Sequence, residues 1–453
     1  MQKKIQNPKW FSVPFTRGKV MQIGGDAALF NHWKKTGDVS IIKDGALDAL
    51  IICGEEIPAN NSPAEWERVV KADGNIVFIN SDENEAEQNA KHLWPEMVVA
   101  KKRYGLLVMS KNKELAEKPK PKNSCLVIRY GAWGDQIICA GVFPLLKEQG
   151  YHITLNCQTP QDIINATNPH VDEMMVQDRD QVDNDDLLEY WNAIATEYDK
   201  VINLSESIEG ELLLSSDSAK FFWPQSARHK LFNANYMERT HDVAGVKHNF
   251  SRSIFYATCD ERAKAKEIRQ RFDAPLICWA VAGSAVHKWY PHMGKVLAKL
   301  LAETDAYIML MGDDEAIALQ DSAIAEAHEI HGDVSRIAAQ CGTLPMRGSM
   351  AIADTADVVV GPETGLLNAV GRSKNHKVVL VSHSGKDQLT KHWINAKEIL
   401  PEKAPCFPCH RLHFSFEHCS KDEQTGASIC NAVIEPETIF KAIKNGLHHA
   451  NSK

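Results

Sequence analysis

The sequence contains no run of 18 or more apolar residues, so no segment predicts a membrane-spanning helix and no integral membrane association is expected. Its opening stretch, MQKKIQNPKWFSVPF, has lysines but no apolar stretch behind them, and so does not read as a secretion signal. A cytoplasmic protein is the expectation. There is no internal repeat and no low-complexity tract, which argues against solenoid and disordered classes. Basic excess is also lacking: the net charge is −8 and the pI near 6.2, against a strong phosphate-binding face for duplex DNA. What is present is the composition of a globular chain, 44% hydrophobic and 24% charged, and 453 residues suffice for two or three domains.

The apolar runs alternate with polar helical stretches, an α/β pattern. Residues 1–110 hold KVMQIGG, LDALIIC, GNIVFIN and YGLLVM around SPAEWERVVKA, too little for a full doubly wound domain. Residues 111–123, rich in lysine and proline with no apolar face, predict a linker. The alternation restarts at Cys125: CLVIRY reads as a buried strand, GAWGD as a tight loop, and QIICAGVFPLLKEQG as one helix closed by glycine. A second series begins at PLICWAVAG and continues through AYIMLMGDDE, ADVVVGPETG and HKVVLVSHSG. Two series, each headed by an apolar strand and a glycine-rich loop, predict two Rossmann-like lobes, residues 124–260 and 261–453, facing across a cleft.

Three loops carry candidate chemistry. In RYGAWGDQII, Asp135 falls at a helix start, where capping is the commoner role of aspartate. A carboxylate there also suits a general base acting on a hydroxyl. In AVAGSAVHKWYP, backbone N–H groups, Ser284 and Lys288 suit a diphosphate; a solvated lysine is the alternative. In ADVVVGPETGLLNAVG, the loop GPETG opens a helix, Glu363 suits ribose hydroxyls, and Thr364 and Gly365 offer donors to phosphate; a capping threonine with a first-turn acid is the alternative.

In this order, strand–GxxGD–helix, then G-S-x-x-x-K-W-x-P, then G-P-E-T-G-L-x-N, residues 124–445 resemble the heptosyltransferases of glycosyltransferase family 9, which build lipopolysaccharide inner core. The resemblance implies the GT-B fold and an inverting transfer without a catalytic metal. It implies a nucleotide-sugar donor, an ADP-sugar by preference, carrying heptose or another hexose-like sugar to a hydroxyl acceptor on a glycan, protein or other macromolecule. It assigns Asp135 as catalytic, Ser284 and Lys288 as phosphate-binding, and Glu363, Thr364, Gly365 and Leu366 as the donor loop. The family usually has Asp at Glu363 and His at Asn368, departures that bear on the donor's identity. Two other classes remain open: a GT-B scaffold without catalysis, and an enzyme that glycosylates nucleic-acid bases.

Of eleven cysteines, seven stand singly in mostly apolar runs and read as core. The other four, Cys406, Cys409, Cys419 and Cys430, are spaced for a closed tetrahedral iron or zinc site with a structural role. His410, His413 and His418 are alternative ligands. This finger, residues 406–430, resembles the iron-binding finger of autotransporter heptosyltransferases. The N-terminal segment resembles the second half of an S-adenosylmethionine methyltransferase, with Gln22-Ile23-Gly24-Gly25-Asp26 in place of a full cofactor loop; a degenerate docking or scaffold domain is expected. Since the first lobe of a GT-B enzyme binds acceptor, Glu206, Arg228, His229 and Lys230 are candidate acceptor contacts, with ordinary surface the alternative. A homo-oligomer is compatible with all of this.

Overall fold

The computed structural model describes residues 7–24, 34–35, 39, 42–53, 63–79, 83–103, 106–116 and 118–451. The cofactor-loop reading at Gly25-Asp26 lies outside them. The chain divides into two compact units: Met1–Ile128 with Gly150–Asp162 and Asp172–Ile202, and Arg129–Gln149 with Ile163–Val171 and Asn203–Lys453. This division cuts across the lobe expected at 124–260. Most of that lobe's strand residues group with the N-terminal segment, whereas the loop and helix after its first strand group with the C-terminal sheet.

The first unit holds two sheets. In the N-terminal one, β1 (Val20–Gly24), β2 (Lys34–Lys35), β3 (Leu47–Cys53), β4 (Val70–Ile79), β5 (Val98–Arg103) and β6 (Leu106–Ser110) run in the order β2-β1-β3-β4-β6-β5. Pairing is parallel from β2 to β4, then antiparallel through β6 and β5. LDALIIC is central and buried almost throughout, as a continuous apolar run requires. Trp66, Phe78 and Trp94 pack together over this sheet with ring centroids 6.1–6.3 Å apart. The second sheet joins β7 (Ser124–Ile128), β8 (His152–Gln158), β9 (Glu173–Gln177) and β10 (Lys200–Asn203) in the order β10-β7-β8-β9.

The N-terminal residues are fastened to this second sheet's connections. Gln181 donates to the carbonyls of Val13 and Thr16 (2.9 and 3.0 Å), and the Trp10 indole donates to Glu189 (3.1 Å). The stretch read as a linker is anchored too. Lys111 donates to the Glu67 and Val70 carbonyls, and Lys120 pairs with Asp199 at 2.8 Å.

The second unit is built on one parallel sheet: β11 (Leu276–Ala280), β12 (Tyr307–Met311), β13 (Ile337–Ala339), β14 (Val358–Pro362), β15 (His376–Leu380) and β16 (Ala396–Ile399), in the order β13-β12-β11-β14-β15-β16. The order reverses between β11 and β14. Side chains alternate faces as the strand period of two demands. Ile277, Trp279, Ile308, Leu310, Val358 and Val360 enter one core, covered by the helices Met293–Glu303 and Pro436–Asn451. Cys278, Ala280, Met309, Met311 and Val359 enter the other, with Met350, Leu367, Ile137 and Ile138. The Asp135 helix therefore lies in the same core as the helix that opens at GPETG.

The single helix expected over 136–150 is two, Trp133–Cys139 and Phe143–Glu148. The break falls around Gly141, against which His241 and Ile254 press. Arg347 stitches this side of the unit. Its guanidinium makes two 2.7 Å bonds to the Glu261 carboxylate and donates to the carbonyls of Ile163, Ile164 and Tyr256. Arg347→Ala removes the cation and its hydrogen bonds to one carboxylate and three carbonyls; we expect a loss of about 3–5 kcal/mol, read as a lowered denaturation midpoint in urea.

Candidate active site

Parallel sheets of this kind place ligands outside the carboxyl ends of their strands, where the strand order reverses. Here that point is the end of β11 beside β14. Gly361, at φ 149°, permits the contact: a Cβ there would lie 2.7 Å from the Ala280 carbonyl. The loop after β11 folds back on itself, with Gly283 N–H donating to the Lys288 carbonyl (2.8 Å). A Cβ on Gly283 would meet both Lys288 and Thr364 at 3.0 Å. Glycine thus lets the second and third motifs touch.

At that contact Lys288 donates to Glu363 at 2.9 Å, both side chains nearly buried. The Asn368 amide donates to the other Glu363 oxygen at 2.7 Å and to the Thr364 carbonyl at 2.9 Å. Burial alone would raise the Glu363 carboxyl, but the Lys288 charge and the hydrogen bonds from Lys288 and Asn368 hold it below the ordinary range. His383 lies behind, its Nε2 3.9 Å from Glu363. His287 is tied to Ser382 (2.9 Å) and, through its carbonyl, to Asn431 (2.6 Å). Burial, then the neighbouring histidine and Lys288, keep the His287 ring well below the usual histidine range; burial and Lys288 do so for His383. Both rings are therefore neutral. Ser284 is exposed, Leu366 is buried, and Thr364 accepts from Leu367 N–H at 3.5 Å as a weak cap.

The first motif joins this assembly. Gly134 and Gly365 lie back to back: a Cβ on Gly134 would meet the Asn368 amide at 3.2 Å, and one on Gly365 would meet Trp133 at 2.8 Å. Asp135, one residue on, accepts from the Ala132 N–H (2.7 Å) through one oxygen and faces Arg129 (2.8 Å) through the other. It therefore caps the helix and holds a charged partner at once. Arg129 is 1% exposed. It also reaches the Leu204 carbonyl (2.9 Å) and both oxygens of Glu209 (3.0 and 3.2 Å). Asp135 is 18% exposed and Glu209 28%, so both acids are largely buried, with one edge reaching solvent where the cation has none. Burial first, then the Glu209 charge, push the Asp135 carboxyl up to about 8, against the pull of Arg129. Glu209 goes the other way: burial would raise it, but Arg129 and a hydrogen bond with Asp135 hold it low.

Arg129, Glu209, His383 and Asn368 were not among the sequence candidates, although three lie within stretches already singled out. Glu206 was chosen where Glu209 makes the contact. Glu206 is exposed with φ 63°. Lys230 is likewise exposed. Arg228 and His229 correct the acceptor expectation: Arg228 is buried and donates to the carbonyls of Cys409 (2.9 Å) and Trp223, and His229 donates to Pro408 (2.6 Å). Both are committed to the cysteine finger.

In that finger Cys409 and Cys430 are buried, Cys419 half-buried and Cys406 exposed, and none is in a disulfide. Burial first, and then the neighbouring thiols, push Cys409 and Cys419 up to about 12. Among the described residues no group of three or more His, Cys, Asp or Glu is gathered tightly enough to hold a metal ion. The donor set itself, four thiols without a competing disulfide, fits iron or zinc.

Because Glu363 is the counter-charge of a nearly buried ammonium, Glu363→Gln should destabilise the unit by about 3 kcal/mol. Thermal unfolding of the variant against wild type measures this.

No protein-family model matches the sequence, and no curated protein matches it. Solved structures do. A glycosyl transferase of family 9 from Veillonella parvula aligns with a TM-score of 0.52 at 14% identity, over 73% of this chain and 99% of that one. The ADP-heptose lps heptosyltransferase II of E. coli aligns with a TM-score of 0.49 at 13% identity, over 72% and 99%. The iron-containing dodecameric glycosyltransferase TibC from enterotoxigenic E. coli aligns with a TM-score of 0.42 at 14% identity, over 74% and 78%. The first of these likenesses shows the GT-B fold of a family 9 glycosyltransferase over 73% of this chain, the fold that the three ordered motifs imply.

Proposed function

We propose that this chain is an inverting, heptosyltransferase-like glycosyltransferase. It takes heptose or a hexose-like sugar from a nucleotide-diphosphate donor, ADP-linked by preference, to a hydroxyl on a glycan, protein or other macromolecule. The observation that supports the reading is the back-to-back contact of Gly134 with Gly365 and Asn368, which joins the helix start carrying Asp135 to the loop whose Glu363 pairs with Lys288.

The chemistry follows from that adjacency. The acceptor hydroxyl gives its proton to the Asp135 carboxylate as its oxygen bonds to the anomeric carbon. The bond from that carbon to the diphosphate oxygen breaks on the opposite face, and the nucleoside diphosphate leaves with the electron pair. Lys288, balanced by Glu363, and the N–H groups of the two loops offset the charge on the leaving group. In this reading Glu363, braced by Asn368 at one oxygen and Lys288 at the other, accepts from ribose hydroxyls with its remaining lone pairs.

A base of this kind contributes about 10²–10⁴ in rate. Asp135→Asn should therefore lose turnover by that factor while binding nucleoside diphosphate like wild type in calorimetry. The assay is mass spectrometry of products from a panel of ADP-, UDP- and GDP-sugars. Wild-type turnover in the variant sinks the assignment, and absence of stabilisation by every nucleoside diphosphate returns the chain to a scaffold.

We further propose that Cys406, Cys409, Cys419 and Cys430 hold one structural iron or zinc ion. Metal binding displaces thiol protons that burial otherwise retains, and the ion supplies cross-linking of the finger. Elemental analysis of the purified chain should find about one such ion per molecule, falling on Cys409→Ser with Cys430→Ser. A metal content near zero in wild type removes this part of the proposal.

A further inference from the structure

Two acids and one buried cation meet at the end of β7, and their stoichiometry has a consequence. Asp135 and Glu209 approach the same terminal nitrogen of Arg129, at 2.8 and 3.0 Å. They also converge over Gly131, whose φ is 123°: a Cβ there would lie 2.7 Å from Asp135 Oδ2 and 2.9 Å from Glu209 Oε1. The two carboxylates are therefore neighbours as well as common partners of the guanidinium. If both are ionised the cluster carries a net negative charge in a poorly hydrated corner, so it holds on to one proton.

Among the described residues neither carboxylate is paired with a second cation; Lys220, on the Glu209 side, donates to the Gly210 carbonyl at 3.4 Å. The Asp135 helix contributes Cys139, a thiol that burial pushes up to about 12. The helix Tyr236–Ala244, packed against it, brings Tyr236, whose phenol burial raises well above the usual range, and His241, which burial holds low. Arg239 on that helix is paired with Glu211. The helix Gly365–Val370 presents only the neutral Asn368.

We propose that Glu209, by sharing the Arg129 guanidinium with Asp135, is a positioning residue that governs when Asp135 can accept the acceptor's proton. This rests on Asp135 being the base of the transfer. With Glu209 ionised and gripped by both guanidinium nitrogens, the retained proton resides on Asp135, hydrogen-bonded to Glu209. Proton acceptance then requires that Asp135 first release that proton to solvent, so turnover rises with pH through a value well above the ordinary aspartate range. Removing the Glu209 charge leaves Arg129 to Asp135 alone, and the rise should move to lower pH.

The test is a titration of the full-length chain labelled with ¹³C at aspartate carboxyls, with the Asp135 signal assigned by its loss in Asp135→Asn. In wild type the signal should titrate well above the ordinary aspartate range. In Glu209→Gln it should fall by about one unit or more, and the pH of half-maximal release of ADP from an ADP-hexose should fall with it. Glu209→Asp, which keeps the charge, should restore the wild-type titration and checks that the Gln variant is not simply misfolded. A wild-type Asp135 that titrates in the ordinary range, or one unmoved in Glu209→Gln, overturns the inference while leaving the base assignment to Asp135→Asn. Conversely, a moved titration with full turnover in Asp135→Asn supports the charge sharing and removes the catalytic reading.

Discussion

A guanidinium buried to 1% exposure must be surrounded by acceptors, and satisfying Arg129 organises much of what lies around it. The residue sits where a strand ends and a glycine loop turns into a helix. To meet it, the 203–210 segment brings the Leu204 carbonyl and the Glu209 carboxylate, and the helix start brings Asp135. Ser205 and Gln136 then close the backbone around it, through Tyr130 N–H (3.0 Å) and the Arg129 carbonyl (2.6 Å). The orientation of Asp135 is thereby determined by a cation that solvent scarcely reaches. A surface aspartate at the same helix position would rotate freely.

The same logic of charge balance recurs at the end of β11. Lys288 is nearly buried because Glu363 is beside it, and Glu363 stays ionised because Lys288 and Asn368 hold it. Between the two ion clusters stand glycines 134, 283 and 365, each at a spot where a side chain would force the loops apart. Small residues here act as spacers of zero thickness. They let the loops carrying the two charge clusters meet without any direct bond between the charges.

How much of this was legible in the sequence differs by feature. The parallel sheets were, because their strands are continuous apolar runs and their loops are glycine-rich. The three loops stand out in the sequence as small-residue turns with charged residues, and two of them meet through the Lys288–Glu363 pair. The partners were not legible. Glu209 lies 80 residues from Arg129, and nothing local separates it from Glu206 in SESIEG. His383 follows an apolar strand like any polar loop residue, and only its burial beside Glu363 distinguishes it. The composition of 136–150 is helical throughout, but Pro144 lacks the N–H a helix interior needs and suits the first turn of a new helix. Where a compact unit ends is likewise decided by contacts across the chain and not by composition.

Arg228 and His229 show what a pair of side-chain bonds does to modularity. By gripping the carbonyls of Cys409 and Pro408, they make the helix Gln225–Leu231 part of the cysteine finger's frame, nearly two hundred residues away in sequence. Residues 406–430 are consequently not a portable cassette. Grafted onto another scaffold without that helix, the finger would lose the donors that shape its first knuckle, and a host lacking them would inherit four thiols without the backbone that presents them.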